Sequence, residues 1–448
     1  MHVLVFPSWY PDAADSQRGR FFRDQARLLA DHGHTVGVLT VPPPRFLRDL
    51  PAAVRGRSAA NPIRRVDDHG LPTYGTARWL WLPGRFGPRV IRWQLARASD
   101  RLWRRYVADH GVPEVIHAQG TLLGGFLAVR HGRRHSVPVV VTEHSSAFLR
   151  GLIRPDERPV VAAVLDAAAA VCAVGPGLAA ALRAFAPAVD VRVVPNPVDV
   201  AYFTPPVVPP AAVPFRFLAV AHLRPVKGVD VLIRAFAKAF GPKGPTGPAG
   251  AVTGTQTSTS TSAATADATP AVVLRIAGEG PERGRLVALA DDLGVADRIV
   301  FLGALSREQL LALYHDSHAL VSASEVETFG LAVAEALACG LRVVATRSGG
   351  PDALVEAAGG WSTPVGDVDA MAEAMGEAIG YVTDDAADEA ADETTGEAGR
   401  RHHADPRDGR AAVVACCAPD AWVRRMEDLF ASAIRPTSIA ASPMEHER

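Results

Sequence analysis

The stretch SREQLLALYHDSHALVSASEVETFGLAVAEALACG, residues 306–340, reads as a helix, a strand, a tight turn and a second helix. Ser306 and Gln309 have the spacing of a capping box, and Leu310, Leu313 and Tyr314 supply an apolar face. HALVS is the strand that follows, and it delivers the chain to Ser324, Glu325 and the turn before an alanine-rich helix. That turn and helix carry two glutamates, Glu327 and Glu335. An unpaired carboxylate costs several kcal/mol to bury, so a segment this apolar must turn its acids to water or use them. Glu327 falls in the turn and Glu335 two helical turns on, a separation of about 12 Å along the axis.

A strand end followed by a helix N-terminus presents free backbone N–H groups and a partial positive charge, which together favour an anion. Here that position is Thr328–Gly330, and Gly330 permits close backbone approach. A diphosphate placed there would have one carboxylate on each side. A nucleotide-sugar has that shape, with sugar hydroxyls at one end and ribose hydroxyls at the other.

Outward from this stretch, the same alternation covers the chain. In the second half, the strand FRFLAVAHL precedes the helical pattern RPVKGVDVLIRAFAKAF, with Lys227 read at its start. AVVLRIAGEGP, ERGRLVALADDLG and RIVFLGA then read as strand, helix and strand. In the first half, HVLVF is followed by a polar loop and the helix RFFRDQARLLADHG, where Phe22, Ala26 and Leu29 share a face and Gly33 is the stop. HTVGVLTV, EVIHAQG, PVVVTEHSS, AAVCAVG and VRVVPNPVD continue as apolar strands ending in polar or glycine-containing loops. Ligands of open parallel sheets collect at those ends, which puts His117, His144 and Asn196 in view.

The expected organisation is two tandem doubly wound Rossmann-like α/β domains facing across a cleft, residues 1–201 and 215–418. The proline-rich 202–214 is read as the linker, and 419–436 as a C-terminal helix packing back toward the N-terminal domain. Residues 241–270 and 384–410 are polar or charge-blocked and read as disordered insertions, the latter holding the pair His402 and His403.

With 47 basic and 48 acidic residues the net charge is −1, which gives no support to a nucleic-acid partner. Cys172, Cys339, Cys416 and Cys417 lack metal-ligand spacing and fit a reduced, cytoplasmic protein. The opening apolar run is too short for a signal peptide, and no stretch reaches the length of a membrane span. Residues 78–107, however, hold eight arginines, four tryptophans and one acid, Asp100. They offer a peripheral contact with the inner face of an anionic membrane, and the competing reading is a solvated arginine face with its tryptophans in the core.

Taken in order, FPSWYPDAADSQRGRFFRDQARLLADHGHTV, VIHAQG, VTEHSS, VVPNPVD, AVAHLRPVKGVDVLIRAF, RIAGEGPERGRL and the long block ending RSGGPDALV resemble family 4 glycosyltransferases, the retaining group with the GT-B fold. Glu327 and Glu335 match that family's Glu-x7-Glu motif, and the likeness covers nearly everything outside the two insertions. The resemblance implies transfer of a sugar from a nucleotide-diphosphate-sugar to a hydroxyl acceptor, lipid-linked or otherwise. It implies that Glu327 contacts the donor sugar and Glu335 the ribose. Lys227, with Arg224 and His222 near it, would meet the diphosphate, joined by the amides of Phe329, Gly330 and Leu331 and by the close approach of Gly19. His117 and His144 would lie near the sugar as catalytic residues.

No cofactor and no metal are implied, and Asp367–Asp369 reads as a helix cap rather than a metal motif. The chain departs from the family pattern at His222, where arginine is common, and at Gln119, Pro197 and Asp352. The altered positions Gln119 and His222 keep a non-catalytic nucleotide-sugar-binding subunit in play, and the other alternative, a sugar-nucleotide epimerase on the same fold, is opposed by the full Glu-x7-Glu set. A dehydrogenase is disfavoured because neither first-strand turn carries the glycine-rich dinucleotide fingerprint.

Overall fold

The computed structural model describes residues 1–11, 19–41, 63–76, 87–242, 272–388 and 406–435. The chain divides into two units, one of residues 1–174, 178–194 and 422 onward, the other of 175–177 and 195–421.

The first unit begins with β1 (His2–Pro7), α1 (Arg20–Asp31), β2 (Thr35–Thr40), β3 (Ile63–Asp68), β4 (Leu71–Thr76) and α2 (Gly87–His110). It continues with β5 (Val115–Gln119), a π-helical turn (Thr121–Gly125), α3 (Phe126–His135), β6 (Val139–Glu143), α4 (Arg158–Ala167), β7 (Ala170–Ala173), α5 (Pro176–Phe185) and β8 (Val191–Val193). Its eight-stranded sheet runs β3-β4-β2-β1-β5-β6-β7-β8. All neighbours are parallel except β3 against β4. The sequence reading did not anticipate that antiparallel pair. β3 is IRRVDD, charged and almost wholly exposed, so it lacks the apolar signature of its neighbours and suits a sheet edge.

Side-chain alternation along β1 shows how both faces are covered. Val3 and Val5 join a core with Ala26, Leu29, Val38, Trp422, Met426 and Phe430, while Leu4 and Phe6 join Leu102, Trp103, Tyr106 and Leu127 on the other side.

The second unit holds β9 (Phe215–Val220), a 3-10 turn (Pro225–Lys227), α6 (Val229–Phe240), β10 (Val272–Ala277), α7 (Arg283–Asp292), β11 (Ile299–Gly303), α8 (Arg307–His315) and β12 (Ala319–Ser322). After these come α9 (Leu331–Ala338), β13 (Arg342–Thr346), α10 (Asp352–Ala357), β14 (Trp361–Thr363), α11 (Val368–Asp388) and α12 (Pro406–Cys417). The helix α13 (Pro419–Ile434) begins at the end of this unit, and its buried Trp422, Val423, Met426, Leu429 and Phe430 belong to the first unit's core. The six-stranded sheet is parallel throughout, in the order β11-β10-β9-β12-β13-β14.

Two sequence expectations need adjusting. Lys227 does not open an α-helix: it ends the 3-10 turn, Gly228 takes a left-handed φ of 58°, and α6 starts at Val229. A side chain at Gly228 would place its Cβ 2.0 Å from the Ala323 carbonyl, which is why the turn must be re-aimed there. The expected insertion 384–410 is also partly helical, since α11 runs to Asp388 and α12 starts at Pro406. Arg410, at the edge of that segment, donates to the carbonyls of Val200 and Phe203 at 3.0 and 2.9 Å and to that of Ala338, a tether that holds α12 in place. Residues 389–405, including His402 and His403, and the 243–271 stretch lie outside the described residues. Asp367 caps α11 by accepting from the amides of Asp369 and Ala370, both at 3.0 Å.

Candidate active site

In the second sheet the chain leaves β9 in one direction for β10 and later returns on its other side as β12, so the strand order reverses between them. Open α/β sheets form their ligand crevice at that point, outside the carboxyl ends of the strands. The loops after β9, β12 and β13 meet there. The amide of Glu325 donates to the Val226 carbonyl at 2.9 Å, and that of Glu327 to the Ser348 carbonyl at 3.1 Å.

Within this frame Lys227 Nζ sits 2.5 Å from Glu327 Oε1, although 100 residues separate them in the chain. Ser324 Oγ donates to the same carboxylate oxygen at 3.0 Å. Both partners are mostly enclosed, at 25% and 20% side-chain exposure. Gly330 caps α9 with a φ of 89°, and a Cβ there would meet Pro351 Cβ at 2.8 Å. The helix therefore begins at Leu331, just after the turn that carries Glu327, and the Phe329 side chain in that turn is buried. His222 and Arg224 lie on the exposed strand-end loop that leads to Lys227.

Glu335 stands on α9 and accepts from the Tyr314 hydroxyl at 2.9 Å. Sequence reading gave Tyr314 an apolar role only. Its ring is indeed fully buried, but its hydroxyl is directed at the carboxylate. Burial, with the Glu335 charge beside it, pushes the phenol well above the ordinary tyrosine range, so it stays a donor.

The first unit has a matching reversal between β1 and β5. Gly19 caps α1 in a left-handed conformation with φ 75°. His117, in β5, is completely buried, bonded to Thr142 Oγ1 at 2.9 Å and edge-on to Phe430 at 5.5 Å. Burial lowers its pKa to about 3, which is the setting of a neutral, packed imidazole. His144 follows β6, is 8% exposed, and neither ring nitrogen has a hydrogen-bond partner among the described residues. Burial, helped by His117, lowers its pKa to about 3 as well.

The group next to it was missed from sequence. Glu143 is 2% exposed and accepts four hydrogen bonds: from Thr121 N at 2.8 Å, Thr121 Oγ1 at 2.7 Å, His144 N at 2.9 Å and Ser145 N at 2.8 Å. It joins the loop carrying His144 to the π-helical turn after β5. Gln119, where the family pattern has a second histidine, donates to Gln25 at 2.9 Å.

Two parallel α/β units of this order, with a cation, two carboxylates and a helix N-terminus at the strand-order reversal of the second, define a glycosyltransferase of the GT-B fold. Sucrose-phosphate synthase from Thermosynechococcus elongatus has the same fold at a TM-score of 0.68 and 20% identity, over 96% of this chain and 98% of that one. The Anabaena protein HepE, solved in complex with UDP and glucose, superposes at 0.62 and 16% identity, over 96% of this chain and all of that one. The chain belongs to the family 4 glycosyltransferases: residues 19–202 match the model described as Glycosyltransferase Family 4, and 258–386 that described as Glycosyl transferases group 1. Glycogen synthase of Mycobacterium tuberculosis is 25% identical over 395 residues, 83% of this chain and 84% of that one. D-inositol 3-phosphate glycosyltransferase of Mycolicibacterium smegmatis is 34% identical over 148 residues, 32% of this chain and 27% of the relative.

Proposed function

We propose that this glycosyltransferase moves a hexose, with retention of configuration, from a nucleoside-diphosphate sugar to a hydroxyl acceptor. The observation that carries the reading is the Lys227–Glu327 pair, 2.5 Å apart, with Glu327 in the turn that leads into α9. In such a transfer the glycosidic bond stretches, an oxocarbenium-like centre forms, and negative charge gathers on the departing phosphate. Lys227, Arg224 and the amides of Phe329, Gly330 and Leu331 are assigned to that charge, with no metal ion required by the assignment. Glu327 orients the sugar and offsets its positive charge, and Glu335 accepts from the ribose. Gly19 brings backbone toward the diphosphate. His144, neutral and with both nitrogens unpartnered among the described residues, is suited to exchange hydrogen bonds with a sugar hydroxyl. His117, bonded to Thr142, serves as support beneath it.

The nucleotide base is open between at least two candidates, because HepE was solved with UDP and a starch synthase of Arabidopsis thaliana, of the same fold, with ADP and acarbose. The deciding experiment is thermal stabilisation of the purified protein by UDP, GDP, ADP and their sugar conjugates, alongside Lys227→Ala and Glu335→Ala. Stabilisation by one nucleotide that both substitutions abolish is the expected result. No stabilisation by any of them would sink the donor assignment. Hydrolysis of the matching sugar conjugate without acceptor separates an enzyme from a binding subunit, and the anomeric signal of the product tests retention.

For the acceptor, the reading adds a peripheral contact with an anionic membrane. No helix among the described residues is long and apolar enough to cross a membrane. The α2 helix nevertheless exposes Arg89, Val90, Trp93 and Arg97, with the Arg97 guanidinium 4.3 Å over the Trp93 ring. Its one acid in the middle, Asp100, is paired with Arg130 and Arg134 of α3 at 2.8 and 3.2 Å. Trp103 belongs to the core instead, stacked on His131 and His135 at 4.6 Å each. Trp79 and Trp81 lie outside the described residues. Co-sedimentation with phosphatidylglycerol vesicles but not with phosphatidylcholine ones, lost in Trp93→Ala/Arg97→Glu, is the expected behaviour. Equal recovery in the supernatant with both would rule the contact out.

A further inference from the structure

Tyr314 lies in the last turn of α8 and could have satisfied its buried hydroxyl on backbone, as phenols in cores commonly do. The Ala332 carbonyl is within 3.4 Å, yet the closer acceptor is Glu335 Oε2 at 2.9 Å. Phe203 packs edge-on against the ring at 5.9 Å, which limits the freedom of the phenol to swing away. A phenylalanine would fill the same space, and the hydroxyl is what couples α8 to the carboxylate on α9.

A glutamate on a helix surface has several rotamers, and fixing one costs free energy that a ligand must otherwise supply on binding. A carboxylate also has about four lone-pair sites, so it can accept from a ligand as well as from the phenol. We propose that Tyr314 is the positioning residue that sets the ribose specificity of the nucleotide site. By holding Glu335 Oε2, it presets the carboxylate for the adjacent 2′ and 3′ hydroxyls of a ribonucleoside diphosphate and so discriminates against deoxyribonucleotides. This deepens the donor assignment above and rests on its placement of ribose at Glu335.

The test is calorimetric binding of UDP and 2′-deoxy-UDP, and of ADP and 2′-deoxy-ADP, to the full chain, to Tyr314→Phe, to Glu335→Gln and to the double variant. Wild type is expected to prefer the ribonucleotide by about tenfold or more, the worth of a hydrogen bond to a charged group. In Tyr314→Phe that preference should drop to within about threefold, through weaker ribonucleotide binding with the deoxynucleotide little changed. Glu335→Gln should lose it equally, and the double variant should lose nothing further, as expected when one residue acts through the other. A merely structural tyrosine would weaken both nucleotides alike and leave their ratio intact. Preference retained in Tyr314→Phe but lost in Glu335→Gln overturns the role of Tyr314 and leaves the ribose assignment standing. Preference retained in Glu335→Gln, or absent from wild type, overturns both. Thermal midpoints of the variants, measured beforehand, confirm that the phenylalanine keeps the fold.

Discussion

Replacing Glu327 with glutamine should tighten nucleoside-diphosphate binding while stopping transfer. In the unliganded protein the Lys227 ammonium is held at 2.5 Å by Glu327 Oε1, and a diphosphate that recruits the lysine must compete with that carboxylate. The bare Coulomb attraction at this distance is about 7 kcal/mol at an effective dielectric near 20. Most of it is offset by desolvation and by the entropy of holding two side chains, and exposed pairs measure about 0.2–1 kcal/mol. With side-chain exposures of 25% and 20%, this pair lies near the top of that range. A net of about 1 kcal/mol released on binding is about fivefold in Kd. Glu327→Gln keeps the shape, keeps an oxygen for Ser324, and removes both the competition for Lys227 and the repulsion between carboxylate and phosphate. Titration calorimetry with the diphosphate that best stabilises the wild type should therefore show about fivefold tighter binding at low salt, shrinking at high salt as screening grows. Sugar transfer by the same variant should fall by about a hundredfold or more. Unchanged or weaker diphosphate binding would refute the reasoning, because it would mean that Lys227 is not drawn from Glu327 toward the ligand.

Glu143→Gln places an amide nitrogen where an oxygen now accepts two of the four hydrogen bonds from Thr121, His144 and Ser145. Urea denaturation should show a loss of about 2–4 kcal/mol, and a change below about 0.5 would contradict the assigned role. Gly330→Ala forces a side chain into φ 89° and against Pro351 at 2.8 Å. A cost of about 1–3 kcal/mol is expected, with nucleotide binding weakened because the start of α9 must shift, and a fully stable variant with normal binding would argue against the tight turn. His117, His131 and His144 have pKa values lowered by burial from 6.5 to about 3, so the folded chain keeps them neutral while the unfolded chain takes up protons below 6.5. Their contribution is complete above pH 6.5 and is lost as pH falls toward 3, by up to about 1.4 kcal/mol per unit for each. Urea midpoints at pH 7.5 and 5.5 should differ in that direction, and equal midpoints would show the imidazoles are not held neutral.

Local chemistry carried much of the structure. The capping box of Ser306 and Gln309 forms as read, with the Gln309 amide donating to Ser306 Oγ at 3.2 Å and the Ser306 amide to Gln309 Oε1 at 2.8 Å. The apolar strands, the face of α1 and the strand-turn-helix around Glu327 were legible because each depends on neighbours within a few residues. The β3–β4 pair was not, since a charged edge strand has no apolar period to detect. Sequence also placed Glu327 in the turn before a helix and Glu335 further along that helix, but not what each would touch. Lys227 reaches Glu327 across 100 residues, Tyr314 reaches Glu335 across 21, and Thr121 reaches Glu143 across 22. Those meetings depend on strand order, with β12 laid beside β9 and β6 beside β5, and on where Gly228 and Gly330 re-aim the chain. Periodicity and capping are properties of a segment and can be read from it. Which carboxylate receives which donor is settled by the packing of segments that are remote in sequence, and only the tertiary structure decides it.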